Sequence, residues 1–202
     1  MKLFLTSAGL QKKKIADFFL TILPKQPKNC SVLMMAYILS SEMQKYVDQA
    51  RKELVDLGFK NIIFFDLKKD KFEEMVKEFD IIYVCGGNTF WILDRLRKIG
   101  LTEFIKDGVR NKGVIYFGVS AGSIIAGPSI EIAGWGSEGD KNTINLKDLT
   151  GFRLTKIAIF PHFRPQMKDE VKEFKKRVSN PVMELTDNEA IYIDESGYRK
   201  IS

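Results

Sequence analysis

The feature that most narrows the possible folds is a series of apolar runs separated by stretches with helical spacing. "KLFLTS", "SVLMMAY", "NIIFFDL", "DIIYVCG", "GVIYFGV" and "KIAIFPHF" are nearly continuous in aliphatic and aromatic residues, with charge only at their ends. A strand with one face in water would alternate polar and apolar side chains. Continuous runs therefore point to a parallel sheet covered on both faces. Between them lie "QKKKIADFFLTIL", "SEMQKYVDQARKELVDLG", "DKFEEMVKEF" and "NTFWILDRLRKIGLTEFIKDGVRNKG", which place apolar residues at helical intervals. In the second, Met43, Tyr46, Val47, Ala50, Leu54 and Leu57 share one face, Ser40 and Ser41 offer caps, and Gly58 ends the pattern. The alternation predicts an α/β protein, a three-layer α/β/α sandwich with a mostly parallel central sheet. Two segments break the rhythm. Glu131 to Gly151 is rich in Gly, Asn, Asp and Thr and reads as a loop or a short irregular strand. "AIYIDESGYRKIS" reads as a hairpin around Ser196–Gly197.

Composition adds exclusions. A chain of 202 residues, 45% hydrophobic and 29% charged, has material for one well-buried core, so a single domain over residues 1–202 is expected. No apolar run approaches the roughly 20 residues of a membrane span, and "MKLFLTSAG" turns polar too soon for a secretory leader. Cys30 and Cys85 lie in apolar runs without metal-ligand spacing, which fits reduced core thiols in a cytoplasmic protein. The net charge of +6 comes from lysines scattered through "QKKK", "DLKKDK" and "EFKKR", with no interleaved aromatics. That pattern describes a solvated surface, so neither a nucleic acid nor a membrane is expected as a partner.

In open α/β sheets, ligands bind at the carboxyl ends of the strands. Three such ends are chemically loaded: "GGNTF" after "DIIYVC", "SAGS" after "GVIYFGV", and "HF" after "KIAIFP". Ser120 lies between Gly118 and Gly122 in a G-x-S-x-G elbow, where small residues let a strand turn sharply into a helix and project the hydroxyl from the sheet. The alternative use of those small residues is close helix packing alone. His162 is the only histidine in the chain, so any Ser–His mechanism must use it, and it is expected to share the sheet edge with Ser120. The N–H of Ala121 faces the same space and can hold an oxyanion, and Gly87 offers a second donor at the neighbouring strand end. Asn88 can cap the following helix.

"GGNTF", then "GVSAGS", then "PHF" resembles the aspartyl dipeptidase and cyanophycinase family of serine peptidases. The resemblance runs from the first strand through His162 and is weakest after Pro165. It implies a flavodoxin-like fold related to the class I glutamine amidotransferases, with Ser120 as nucleophile, His162 as general base, and Gly87 and Ala121 as oxyanion donors. It also implies a chain order of serine, acid, histidine, with the acid in the intervening loop. "WGSEGDKN" offers both Glu138 and Asp140, with Glu131 and Asp148 further off. Counted back from the histidine, Asp140 resembles the acid of the dipeptidases and Glu138 that of the cyanophycinases. Asp140 is preferred because Gly139 and Asn142 suit a tight turn.

The resemblance further implies cleavage after an aspartyl residue, in Asp-X dipeptides or other aspartyl-linked peptides. A substrate carboxylate calls for a bidentate cation; Arg164 is the nearby candidate, with Asn88 as a second substrate contact. "FRPQMKDEVKEFKKRV" reads as an amphipathic helix. The expected protein is therefore a serine peptidase acting through an acyl-enzyme, without cofactor or metal, on small peptides, as a monomer or homodimer. Two other readings stay open: an esterase of α/β-hydrolase type, and a binding protein that keeps the elbow without turnover.

Overall fold

The computed structural model describes residues 1–71 and 78–202. The strands are β1 (Lys2–Thr6), β2 (Ser31–Ala36), β3 (Asn61–Asp66), β4 (Ile81–Val84), β5 (Ile115–Val119), β6 (Ala158–Phe160), β7 (Val182–Glu184), β8 (Ala190–Asp194) and β9 (Gly197–Ile201). The helices are α1 (Lys13–Thr21), α2 (Ser41–Asp56), α3 (Thr89–Lys98), α4 (Leu101–Asn111), α5 (Ala121–Ile125) and α6 (Lys168–Arg177). Seven strands form one sheet in the order β3-β2-β4-β5-β1-β8-β9. From β3 to β1 all pairings are parallel, and β8 and β9 extend the sheet antiparallel. The β8–β9 pair is the expected hairpin; its turn residue Gly197 has φ 128°, a conformation that favours glycine.

The continuous apolar runs are explained by burial on both faces. Leu3, Leu5, Leu33, Met35, Ile82, Val84 and Tyr116 point to one core, packed by residues of α3, α4, α5 and α6. Their alternates Phe4, Val32, Met34, Ile81, Tyr83, Ile115 and Phe117 point to the other, under α1 and α2. Phe4, Phe19 and Phe117 meet there with ring centroids 4.8–5.2 Å apart, joining β1, α1 and β5. These are the three layers the alternation predicts.

Four details differ from the sequence reading. The long helical stretch after Asn88 is two helices, because Gly100 takes φ 76° and turns the chain between α3 and α4. In α2, Ser40 caps as expected by accepting the Met43 N–H, but only Val47 and Leu54 are buried and Tyr46 is 69% exposed. "KIAIFPHF" contributes β6, which lies outside the central sheet and pairs in parallel with β7, a short strand with no apolar run to announce it. The segment from Glu131 to Gly151 holds a single turn of 3-10 helix at Glu131–Gly134 and a bridge from Ser129 to Thr150. The helix expected in "DKFEEMVKEF" falls largely outside the described residues.

Candidate active site

At the carboxyl end of β5 the chain turns abruptly into α5. Ser120 sits at the turn with φ 49° and ψ −109°, outside the regions a side chain ordinarily occupies. The turn is held by its surroundings. Ser120 N–H donates to the Thr6 carbonyl at 3.0 Å, and the Tyr116 hydroxyl donates to Gly122 O at 2.7 Å. The flanking glycines are required by close approach. A Cβ on Gly122 would lie 2.2 Å from Val84 O, and one on Gly118 would lie 2.6 Å from the Gly122 carbonyl carbon. Ser123, three residues on, is fully buried and aims its hydroxyl at Thr6 O and Gly118 O, both 2.8 Å away.

The neighbouring strand end delivers "GGN". A Cβ on Gly86 would come within 3.3 Å of Ser120 Cβ, so the backbone after β4 runs directly beside the nucleophile candidate. Gly87 has φ 139° and lies under the methyl of Met43. Ala121 opens α5, and a first-turn N–H has no acceptor within its own helix. Asn88 caps α3: its Oδ1 accepts the Trp91 N–H at 3.2 Å, and its Nδ2 donates to Lys141 O at 3.0 Å. Both ends of its amide are thus engaged in holding backbone.

His162 reaches the site from the satellite sheet rather than from the central one. It follows β6 with φ 55°, and its Nε2 lies 2.8 Å from Ser120 Oγ. The far nitrogen, Nδ1, lies 2.7 Å from Asp187 Oδ1. Asp187 sits between β7 and β8, after the histidine in the chain. Both expected loop acids are bonded elsewhere. Asp140 turns its carboxylate to α3, where Oδ2 accepts the Thr89 N–H at 2.8 Å and the Thr89 hydroxyl at 2.6 Å. A carboxylate is favoured at that helix start by the amide dipoles, which is the physical reason it is held there. Glu138 is ion-paired with Arg164. In chain order the three contacting groups run Ser120, His162, Asp187, and no acidic motif or apolar pattern around "LTDNEA" distinguished Asp187 from the other loop acids.

Partial burial would raise the Asp187 carboxyl. Hydrogen bonds from Ser7 and His162, with the charges of His162 and Arg164, outweigh it and hold the group below the usual carboxylate range. An ionised Asp187 accepts from Nδ1–H, which leaves Nε2 with a lone pair facing Ser120 Oγ. The arrangement can take a proton from the serine and return it to a leaving group. Among the described residues no group of three or more His, Cys, Asp or Glu is disposed to hold a metal ion, and no helix is long and apolar enough to cross a membrane. Cys30 and Cys85 are buried and unpaired.

Fold and site geometry together are those of a serine hydrolase on an α/β scaffold. The chain belongs to peptidase family S51, whose family model matches residues 3–201, and it is a serine-type peptidase. It is 29% identical over 187 residues to Peptidase E of Nostoc sp., covering 85% of this chain and 73% of that one. It is 28% identical over 173 residues to a Drosophila melanogaster protein named as an alpha-aspartyl dipeptidase by assignment, with 81% and 69% covered. The crystal structure of a Peptidase E candidate from Listeria monocytogenes superposes with a TM-score of 0.80 over 98% of this chain and 96% of the other, at 23% identity; this likeness speaks to the fold.

Proposed function

We propose that this peptidase hydrolyses short peptides, Asp-X dipeptides foremost, through an acyl-enzyme on Ser120. The observation that carries the reading is the chain of short contacts from Ser120 Oγ to His162 Nε2, 2.8 Å, and from His162 Nδ1 to Asp187, 2.7 Å. His162 removes the Ser120 proton as Oγ attacks the peptide carbonyl, and Asp187 stabilises the resulting imidazolium. The N–H groups of Gly87 and Ala121 hold the oxyanion; the closeness of Gly86, the residue before Gly87, to Ser120 supports this pairing. The imidazolium then protonates the departing amine, and water, deprotonated by the same His162, releases the acyl group.

Aspartyl preference rests on the names of the relatives and on Arg164. That guanidinium lies two residues past His162, is 47% exposed, and already holds a carboxylate, that of Glu138. A substrate carboxylate would exchange with Glu138 on the same cation. Asn88 serves by fixing the Gly87 turn. The enzyme is read as one domain, cytoplasmic and a monomer or homodimer, working without nucleic acid or cofactor. Titration with a fluorophosphonate tests the nucleophile: one equivalent should label Ser120, and Ser120→Ala should not label. Labelling at Ser123 or Ser129 would overturn it. Asp-X dipeptides assayed beside short acyl esters test the substrate, and hydrolysis of the esters alone would refute the peptidyl specificity.

A further inference from the structure

The groups of the site come from two sheets that share no strand. Ser120 follows β5 of the central sheet; His162 follows β6 of the satellite pair, and Asp187 lies between β7 of that pair and β8. Something must hold the histidine in register with a nucleophile on another sheet to within a few tenths of an ångström, since a 1 Å misplacement can cost about a hundredfold in rate. Ser7, the residue after β1, is placed to do so. It is fully buried. Its hydroxyl donates to Asp187 Oδ1 at 2.7 Å and accepts the backbone N–H of His162 at 2.7 Å. The same oxygen lies 3.4 Å from His162 Nδ1. A hydroxyl has one proton, and the short contact to the carboxylate takes it, so Nδ1–H and Ser7 O–H converge on one Asp187 oxygen.

The preceding residue completes the clamp. Thr6 O accepts the Ser120 N–H at 3.0 Å and the Ser123 hydroxyl at 2.8 Å. Adjacent residues at the end of β1 thus grip both halves of the site, the nucleophile through a carbonyl and the base through a hydroxyl. The His162 grip is the more demanding, because its φ of 55° is unfavourable for a side chain and persists only where the surroundings fix it.

We infer that Ser7 is a positioning residue of the reaction: its buried hydroxyl registers His162 and Asp187 against Ser120 without touching substrate. This rests on the Ser120–His162–Asp187 reading above. It adds that an apolar residue at position 7 loosens the base while leaving the substrate pocket intact.

The experiment compares wild type with Ser7→Ala and Ser7→Thr, which restores a hydroxyl. Fluorophosphonate labelling rates report nucleophile activation whatever the natural substrate. Asp-X hydrolysis separates kcat from KM. Because His162 is the only histidine, nitrogen-15 and proton spectra of the imidazole report its Nδ1 hydrogen bond with no other signal in the way, and need no activity at all. Ser7→Ala is expected to lower kcat and the labelling rate about tenfold or more, with KM within about threefold, by loss of pre-organised geometry. The Nδ1 proton resonance should broaden or vanish, and Ser7→Thr should recover most of both. Wild-type labelling with an unchanged imidazole spectrum in Ser7→Ala would overturn the inference. So would a loss that merely tracks unfolding while the folded fraction keeps the wild-type spectrum. If wild type fails to label, the catalytic reading falls, and the spectra still decide whether Ser7 fixes the His162–Asp187 bond.

Discussion

Asp80 and Asp187 are near twins in bonding and opposites in setting. Asp80 lies just before β4, at the amino ends of the strands, where Oδ2 accepts the Ser31 N–H at 2.8 Å and the Ser31 hydroxyl at 3.0 Å, and Oδ1 pairs with Lys25 at 2.8 Å. Asp187 lies at the other end of the sheet and meets a serine hydroxyl and a histidine nitrogen instead. In both, partial burial favours the neutral acid and the donors outweigh it, so both carboxyls are held below their ordinary range. What differs is the cation and the access. Lys25 stays protonated throughout the neutral range, and the Asp80 side chain is only 16% exposed. Asp187 is 61% exposed and faces an imidazole, whose charge can change during a reaction. The Asp80 arrangement is a fastener; the Asp187 arrangement joins a serine and an imidazole along the proton path proposed above.

The largest expected effect separates them directly. Asp187→Asn keeps the shape but favours the wrong imidazole tautomer, so turnover should fall by a factor on the order of 10⁴, with a smaller drop in the urea midpoint than Asp80→Asn because Asp187 is the more exposed. Asp80→Asn should do the reverse. It should lower stability at neutral pH by about 2 kcal/mol, the scale of hydrogen bonds to a charged group, and leave dipeptide hydrolysis within a few-fold of wild type. If Asp80→Asn abolished turnover in folded protein, the division of labour between the two ends would be wrong.

Acid sharpens the contrast. The Asp80 carboxyl titrates lower in the folded chain than in the unfolded one. Its stabilisation is therefore complete above the unfolded value, about 4, and disappears as pH falls through the folded value. The difference in urea midpoint between wild type and Asp80→Asn should thus hold from neutral pH down to about pH 5 and shrink as the pH falls below about 4. A gap that stayed constant would mean that the lost contact is not that of the ionised carboxylate.

The smallest effect concerns the acid the motif reading favoured. Asp140→Asn weakens the hold on Thr89 at the start of α3 and should cost about 1 kcal/mol, with hydrolysis nearly unchanged. A large loss of turnover from this variant, with Asp187→Asn active, would invert the assignment of the two aspartates.

These residues also mark how far the sequence could be read. The elbow was legible because its causes are local: an apolar strand, two glycines where a Cβ would run into neighbouring backbone, and a serine between them. His162 was legible through its uniqueness. The layers followed from runs buried on both faces. Asp187 was not legible, because its position depends on β7, three half-buried residues whose pairing with β6 no periodicity reveals. Asp140 drew attention for a sound local reason, a turn beside glycine, but a helix start lay within its reach. Ser7 is one small polar residue at a strand end, and only the distant arrival of His162 gives it meaning.

The strained turn at Ser120 has one more consequence. A non-glycine residue at φ 49° and ψ −109° costs the fold on the order of 1–3 kcal/mol. Ser120→Gly should therefore unfold at a higher urea concentration than Ser120→Ala, although both lack the hydroxyl; equal midpoints would show the turn to be relaxed. As the proposed nucleophile, Ser120 is in this sense a standing load on the molecule, a cost in stability set against activity. A glycine here, in a sequence otherwise like this one, would relieve the turn and remove the proposed nucleophile in a single change.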